Sequence, residues 1–287
     1  FYTASGHDQR VWNNAGFHQL IKSGILWAVG DKARGRYEKF LTNRTKLKYE
    51  KRNNIPNYER RKEPLKYQLP LSPEDSIKYT QVPIDFRMEL FASEPDIINP
   101  IYMTWDERGR LWVVETVDYP NEFKDKRKGN DRIKICEDTN GDGKADKFTV
   151  FAEGFNIPTS ITFARGGIIL AHAPEFYFLK DTNGDDKADI REVLFSGWGV
   201  GDTHAGPSNL RYGFDNWIYG TVGYARFNGS LGGKQHNFGM GVFRFKSDAS
   251  DIEFLHQRGQ RVHHQSSGCL YAEQFQCALE IVRVPRR

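Results

Sequence analysis

A nonapeptide written twice constrains this chain more than any other feature: DTNGDGKAD at residues 138–146 returns, 43 residues on, as DTNGDDKAD at 181–189. In strand-rich sequence a spacing of that size is the period of one propeller blade. From about Val82 onward the texture agrees. Short runs such as 110–114, 132–136, 148–151, 168–171, 175–179, 193–195, 217–220 and 242–245 alternate or bunch apolar residues between Gly, Asn and Asp clusters, the mark of strands joined by tight turns. A longer pattern recurs in NPIYMTWDERGRLWVVE (99–115), IPTSITFARGGIILA (157–171) and PSNLRYGFDNWIYGT (207–221): a Pro or Asn opening, a strand, a turn, a second strand. With Gly109, Gly166 and Asn216 as equivalent turn positions the gaps are 57 and 50 residues. The expected fold is mainly β: a partial β-propeller of about four blades, truncated from the six-bladed type, preceded by a short α/β remnant and a linker. A ring of six blades would continue past residue 287.

Ahead of the strands, Phe17, Leu20, Ile21, Gly24, Ile25 and Ala28 fall on one face of a helix that Gly30 stops. A stripe this wide needs a partner surface, which the dozen residues before it cannot supply. Between Lys32 and Lys66 stand 13 Lys and Arg against 4 Asp and Glu, with few aliphatics and two prolines, the composition of a solvated linker. The stretch carries no groove-reading motif, so nucleic acid is not an expected partner. The expected domains are 1–31, an α/β remnant; 32–81, the basic linker; 82–256, the incomplete propeller; and 257–287, a divergent tail. No apolar run is long enough to span a bilayer, and Cys136, Cys269 and Cys277 make neither a CxxC pair nor a CxxCH haem-attachment motif.

The nonapeptides have calcium chemistry in them. Asp138, Asn140, Asp142, the Lys144 carbonyl and Asp146 occupy alternate positions of the first loop. Asp181, Asn183, Asp185, the Lys187 carbonyl and Asp189 do the same in the second, followed by Glu192 at position 12. Calcium takes six to eight oxygen ligands, and a tight loop turns positions 1, 3, 5, 7 and 9 inward. Neither loop is a full EF-hand, because Thr149 holds position 12 of the first and Asp186 replaces the turn glycine, Gly143, in the second. The alternative is that Asn-Gly and Asp-Gly simply make hairpin turns. On either reading the repeat marks equivalent hairpins of successive blades.

The segment GDTHAGPSNLRYGFDNWIYGTVGYARF (201–227) resembles the region of the pyrroloquinoline-quinone-dependent sugar dehydrogenases that carries their catalytic histidine. Asn209 stands where those enzymes have Arg. More closely, residues 82–256 resemble the propeller of the bacterial membrane-bound dehydrogenase family found in PVC-type haem-binding proteins, through RLWVVETVDYP, EDTNGDGKADKFTVFAEG, FLKDTNGDDKADIREVLFSG and GDTHAGPSNLRYGFDNWIYGTVGY. Residues 1–31 resemble the C-terminal end of a ThuA-like domain. The resemblance implies an exported protein and His204 as the general base in oxidation of a small sugar or alcohol, with pyrroloquinoline quinone and calcium as cofactors. A non-catalytic, calcium-stabilised propeller that binds glycan or protein is the alternative.

Overall fold

The computed structural model describes residues 5–6, 8–42, 44–52, 60, 62–63, 66–80, 82, 86–119, 128–256 and 279–283. The chain divides into two compact units, Phe1–Gln81 and Val82–Arg287.

In the first unit, helices α1 (Gln9–Trp12) and α2 (Ala15–Ala28) start on Asp8 and Asn14, whose side chains accept backbone N–H bonds of their first turns. Helix α2 ends at Val29, one residue before the expected glycine stop. Of its apolar stripe Phe17 and Gly24 are buried, whereas Leu20 and Ile25 are about half exposed. The stretch read as linker holds a further helix, α3 (Asp31–Thr42), with no buried residue. Lys, Arg, Glu, Leu and Ala are strong helix formers even when solvated, so a basic composition did not mean an irregular backbone. The strand pair β1 (Tyr49–Glu50) and β2 (Tyr67–Gln68), and a short helix α4 (Pro73–Ile77) capped by Ser72, complete the unit.

The second unit is a partial propeller. Strands β4 (Pro100–Trp105), β5 (Leu111–Glu115), β6 (Asp131–Glu137) and β7 (Lys147–Phe155) form one antiparallel meander. A second comprises β8 (Ser160–Ala164), β9 (Gly167–His172), β10 (Glu175–Lys180) and β11 (Ile190–Ser196). The third sheet has the order β12 (Pro207–Tyr212), β13 (Ile218–Val222), β16 (Gly241–Phe245), β17 (Ile252–His256), with the hairpin β14 (Phe227–Leu231)–β15 (Lys234–Phe238) inserted between β13 and β16. Strand β3 (Arg87–Ala92) pairs with β18 (Leu279–Arg283) in a two-stranded sheet. The expected turn residues Gly109, Gly166 and Asn216 all have left-handed backbones, with φ of 76°, 70° and 62°.

Strands buried on both faces read as continuous apolar runs, and successive side chains alternate between those faces. In β5, Leu111 and Val113 pack with Ala92 of β3, while Trp112 and Val114 pack with Ile161 and Leu170 of the second sheet. In β9, Ile168 and Leu170 face the first sheet, while Ile169 and Ala171 join Leu210, Ile218 and Phe243 of the third. Four sheets thus stack through three apolar layers. Cys136 is a core filler, its thiol pushed up to about 12 by burial. The first strands β4, β8 and β12 lie against one another and are tied by polar links: the Leu210 N–H donates to Ser160 Oγ at 3.3 Å, and the Tyr102 hydroxyl donates to the Leu210 carbonyl at 3.2 Å. They are the inner strands of the partial ring.

Candidate functional site

Strand direction separates the two sets of expected site residues. The loop 197–206, which carries His204, leaves the end of β11 that pairs with the start of β10. The acidic loops join β6 to β7 and β10 to β11 at the opposite end. The nonapeptides therefore occupy equivalent outer hairpins of neighbouring sheets, and His204 lies at the far end of those sheets from both.

The His204 side chain is 54% exposed, with Nδ1 3.4 Å from Asp202 Oδ1 and 3.2 Å from Thr203 Oγ1. Its backbone N–H also donates to Asp202 Oδ1, at 2.7 Å, so the carboxylate fixes both backbone and ring. The Tyr119 ring meets the imidazole edge to face, with centroids 5.3 Å apart. Tyr119 follows Asp118 in the β5–β6 connection, and beneath it lies a buried polar network that strand patterning alone did not reveal. Asp131, at the start of β6, accepts from the Asp118 N–H at 2.9 Å, the Ile157 N–H at 2.5 Å and the Thr116 hydroxyl at 3.2 Å. Asp118 accepts from the Asn130 N–H at 2.9 Å and from the side-chain amides of Asn130 and Asn156, each at 3.1 Å. The Asn156 N–H donates to His172 Nε2 at 3.3 Å. Burial pushes the Asp131 carboxyl above its ordinary value, against the pull of the Asp118 and Ile157 N–H groups, and the Asp118 carboxylate adds to the rise. The signal in sequence was a polar residue at the end of an apolar strand, as in Asn130-Asp131, Phe155-Asn156 and Ala171-His172, where a solvated loop was the simpler reading.

In the first acidic loop Asp138 accepts three backbone N–H bonds, from Gly141, Asp142 and Gly143, at 2.7–3.1 Å. Asn140 accepts from Asp142 N–H and Asp142 from Lys144 N–H. Asp146 accepts from the Thr139 hydroxyl and N–H, which hold its carboxyl below the ordinary range. The second loop repeats this wiring through Asp181, Asn183, Asp185 and Asp189, with Lys187 donating its N–H to Asp185. Desolvation opposes ionisation of Asp181, yet the N–H groups of Gly184 and Asp186 outweigh it and its carboxyl is lowered. Glu192 lies outside the loop, in β11 opposite Phe178. Among the described residues no three His, Cys, Asp or Glu side chains converge as a metal-binding group. The side-chain oxygens of both loops accept bonds from the turn backbone.

The first loop does offer carboxylate and amide oxygens, the donor chemistry of a hard cation, and its carboxylates make no described ion pair, although its side chains do not converge. Pyrroloquinoline quinone is a different matter. Asp202, Thr203 and Tyr119, which contact His204, do not bring the positive charge that the quinone's carboxylates require.

Residues 72–275 match the model of a family described as a domain of unknown function (DUF7133). Among solved structures the chain is similar to the holo form of the pyranose dehydrogenase PQQ domain from Coprinopsis cinerea, with 18% identity and a TM-score of 0.39, over 50% of this chain and 32% of that one. It is also similar to an iodide structure of a Trichoderma reesei carbohydrate-active enzyme of family AA12, with 12% identity and a TM-score of 0.37, over 50% of this chain and 34% of that one. The chain spans about a third of the length of these structures. No curated protein matches it. Among the described residues no helix is long and apolar enough to cross a membrane.

Proposed function

This chain belongs to the DUF7133 family, matched over residues 72–275, and on that footing we propose that it is the propeller portion of an exported sugar or alcohol dehydrogenase of the quinone-dependent type. The observation that carries the reading is His204: an exposed imidazole at the loop end of the inner strands, with a carboxylate fixing its position and an aromatic edge against its ring. A neutral imidazole accepts a hydroxyl proton near neutral pH. In oxidation of a secondary alcohol the hydroxyl proton passes to His204 and the carbon-bound hydrogen leaves with the electron pair. The quinone, when bound, would supply the acceptor for that pair. Asp202, Thr203 and Tyr119 are not its binding groups; these neighbours hold the base, and His204 moves the proton.

Calcium in the two hairpin loops belongs to the same reading as a structural ion, held by Asp138, Asn140, Asp142 and Asp146 and their counterparts in the second loop. Residues 1–31 are proposed as the end of a ThuA-like domain and 32–81 as the connecting segment. His7, on which activity of that domain would rest, lies outside the described residues.

Sugar-dependent reduction of a dye in the presence of the quinone tests the assignment. Replacing a general base costs roughly 10²–10⁴ in rate, so His204→Asn is expected to lose at least about a hundredfold; full activity in that variant removes the assigned base. Tyr119 and Thr203, an aromatic edge and a hydroxyl beside His204, also suit one rival, a propeller that binds glycan without turnover. That rival predicts binding on a glycan array and no dye reduction by the unmodified protein.

A further inference from the structure

The loop that carries His204 is bonded at both ends to one other segment of the chain, residues 223–228, the connection after β13 and the start of β14. Strand β13 ends with Val222 opposite Pro207, and beyond that pair the two backbones stay together. The N–H groups of Gly223 and Ala225 both donate to the Ala205 carbonyl at 3.1 Å. Gly199 donates to the Arg226 carbonyl, and Asn228 to the Gly197 carbonyl, each at 2.8 Å. A Cβ on Gly197 would stand 2.9 Å from the Asn228 carbonyl oxygen, and one on Gly223 3.0 Å from the Ala205 Cβ, so glycine is what lets the backbones approach this closely. Segment 223–228 is thereby a second wall of the His204 site.

Successive residues of that wall alternate in exposure. Ala225 and Phe227 are buried in the apolar layer between the second and third sheets, together with Trp198 at the start of the loop, whereas Tyr224, Arg226 and Asn228 are exposed. An exposed aromatic residue means little by itself. The place of Tyr224 gives it meaning. Its two neighbours in sequence both donate to the carbonyl of the residue that follows His204, which sets the Tyr224 backbone opposite Ala205 and puts its side chain, 67% exposed, within reach of a ligand on the imidazole. The ring contact that supports the imidazole already comes from Tyr119, which is buried. Within the loop 197–206 and the wall 223–228 the charged side chains are Asp202 and Arg226, one of each sign, which favours a neutral ligand over an anion or a cation.

We infer that Tyr224 is the specificity ring of this site, lying against one face of a neutral pyranose whose hydroxyl reaches His204. A tyrosine offers a broad apolar face with little conformational freedom to lose, which matches the C–H face of a pyranose, while Asp202 can accept from its hydroxyls and Arg226 can donate to them. The inference deepens the dehydrogenase reading and rests on it for the class of ligand and for the ligand's place at His204.

Calorimetric titration of the whole chain with glucose, galactose, mannose and xylose tests it, against sorbitol, an open-chain polyol without a ring face. At least one pyranose is expected to bind at least tenfold more tightly than sorbitol. Tyr224→Ala should weaken that pyranose at least fivefold and melt with the parent, because the ring it removes is exposed. Tyr224→Phe keeps the ring and should bind within about twofold of the parent. Phe214→Ala, which removes a fully exposed ring from the β12–β13 turn at the opposite end of the sheets, should bind as the parent does. The assignment is overturned if no pyranose binds, if sorbitol binds as tightly, if Tyr224→Ala binds as the parent does, or if Tyr224→Phe or Phe214→Ala loses as much as Tyr224→Ala. Dye reduction separates the two readings: a parent that binds the sugar through Tyr224 yet never reduces the dye removes the dehydrogenase and leaves the Tyr224 site standing.

Discussion

The Asp186 carboxylate lies 2.7 Å from the Arg110 guanidinium, joining the acidic loop of the second sheet to the inner turn of the first. Gly143 holds the equivalent place in the first loop. Both residues have left-handed backbones, φ 91° and 63°, and both donate their N–H to the leading aspartate of their loop at 2.8 Å. The second copy departs from the repeat at its glycine because the neighbouring sheet presents a buried cation there. Desolvation works against the charge on Arg110, but the bonds it donates to Asp186 and Asp106 outweigh it and raise its pKa above the ordinary value.

Asp186→Gly would restore the repeat and break this link. Relief of the left-handed backbone returns about 1 kcal/mol, and leaving a buried guanidinium short of a partner costs about 1–3 kcal/mol. The variant is expected to be less stable by about 1 kcal/mol, read as a lower urea midpoint at an unchanged slope. A higher midpoint would mean that the contact contributes nothing.

Gly129 lies just ahead of β6, against Asp118 and the end of β7. A Cβ there would stand 1.9 Å from Asp118 Oδ2 and 2.5 Å from the Phe155 carbonyl oxygen. The backbone oxygen cannot rotate away as a side chain can, so Gly129→Ala forces the connection off β7. Overpacking of this kind costs about 1–3 kcal/mol, and the Tyr119–His204 contact should loosen with it, visible as a changed imidazole resonance. A variant with parent-like melting and an unshifted resonance would contradict the placement of this loop.

The sheets were legible because their strands are buried on both faces: IIL in β9 and WVV in β5 leave no other economical reading, and Gly109, Gly166 and Asn216 supply the turns between them. The equivalence of the two acidic hairpins was legible for the same reason, since a repeated loop implies a repeated strand pair. What stayed hidden depends on contacts distant in sequence. Nothing local in Asn-Asp-Arg (130–132) says that Asp131 will meet the backbone of Ile157, and nothing in Ala-Arg-Gly says that Arg165 will overlook Phe178. Helix α3 was missed because a solvated helix and a solvated linker share one composition when tertiary burial does not decide between them.

Calcium should stabilise the protein if the hairpin loops hold it. At a free concentration a hundredfold above the dissociation constant the gain is about 2.7 kcal/mol, and a chelator should reverse it. Asp142→Asn keeps an oxygen for the Lys144 N–H while removing a negative charge, so the loop should fold yet respond less to calcium. A melting curve that neither calcium nor chelator moves would leave these loops as turns alone.

Asp131 gives the sharpest pH dependence. Its carboxyl is raised in the folded protein by burial, so the native state holds its proton more tightly than the unfolded chain, whose Asp titrates near about 3.9. The stability that Asp131 contributes is therefore fully present below that value and declines as pH rises through the raised native value, then stays level. Asp131→Asn cannot titrate, and its NH₂ must face the N–H donor of either Asp118 or Ile157, which bond to different oxygens of the carboxylate, at a cost of about 1–3 kcal/mol. Both proteins share every titration outside the coupled Asp131–Asp118 pair, so the difference in their unfolding free energies reports that pair. Measured by urea unfolding from pH 3.5 to 7, the advantage of the parent over Asp131→Asn should be greatest at the acid end and narrow toward neutrality. An advantage that widens as pH rises would mean that the native state prefers the carboxylate, held by its N–H donors, to the buried acid.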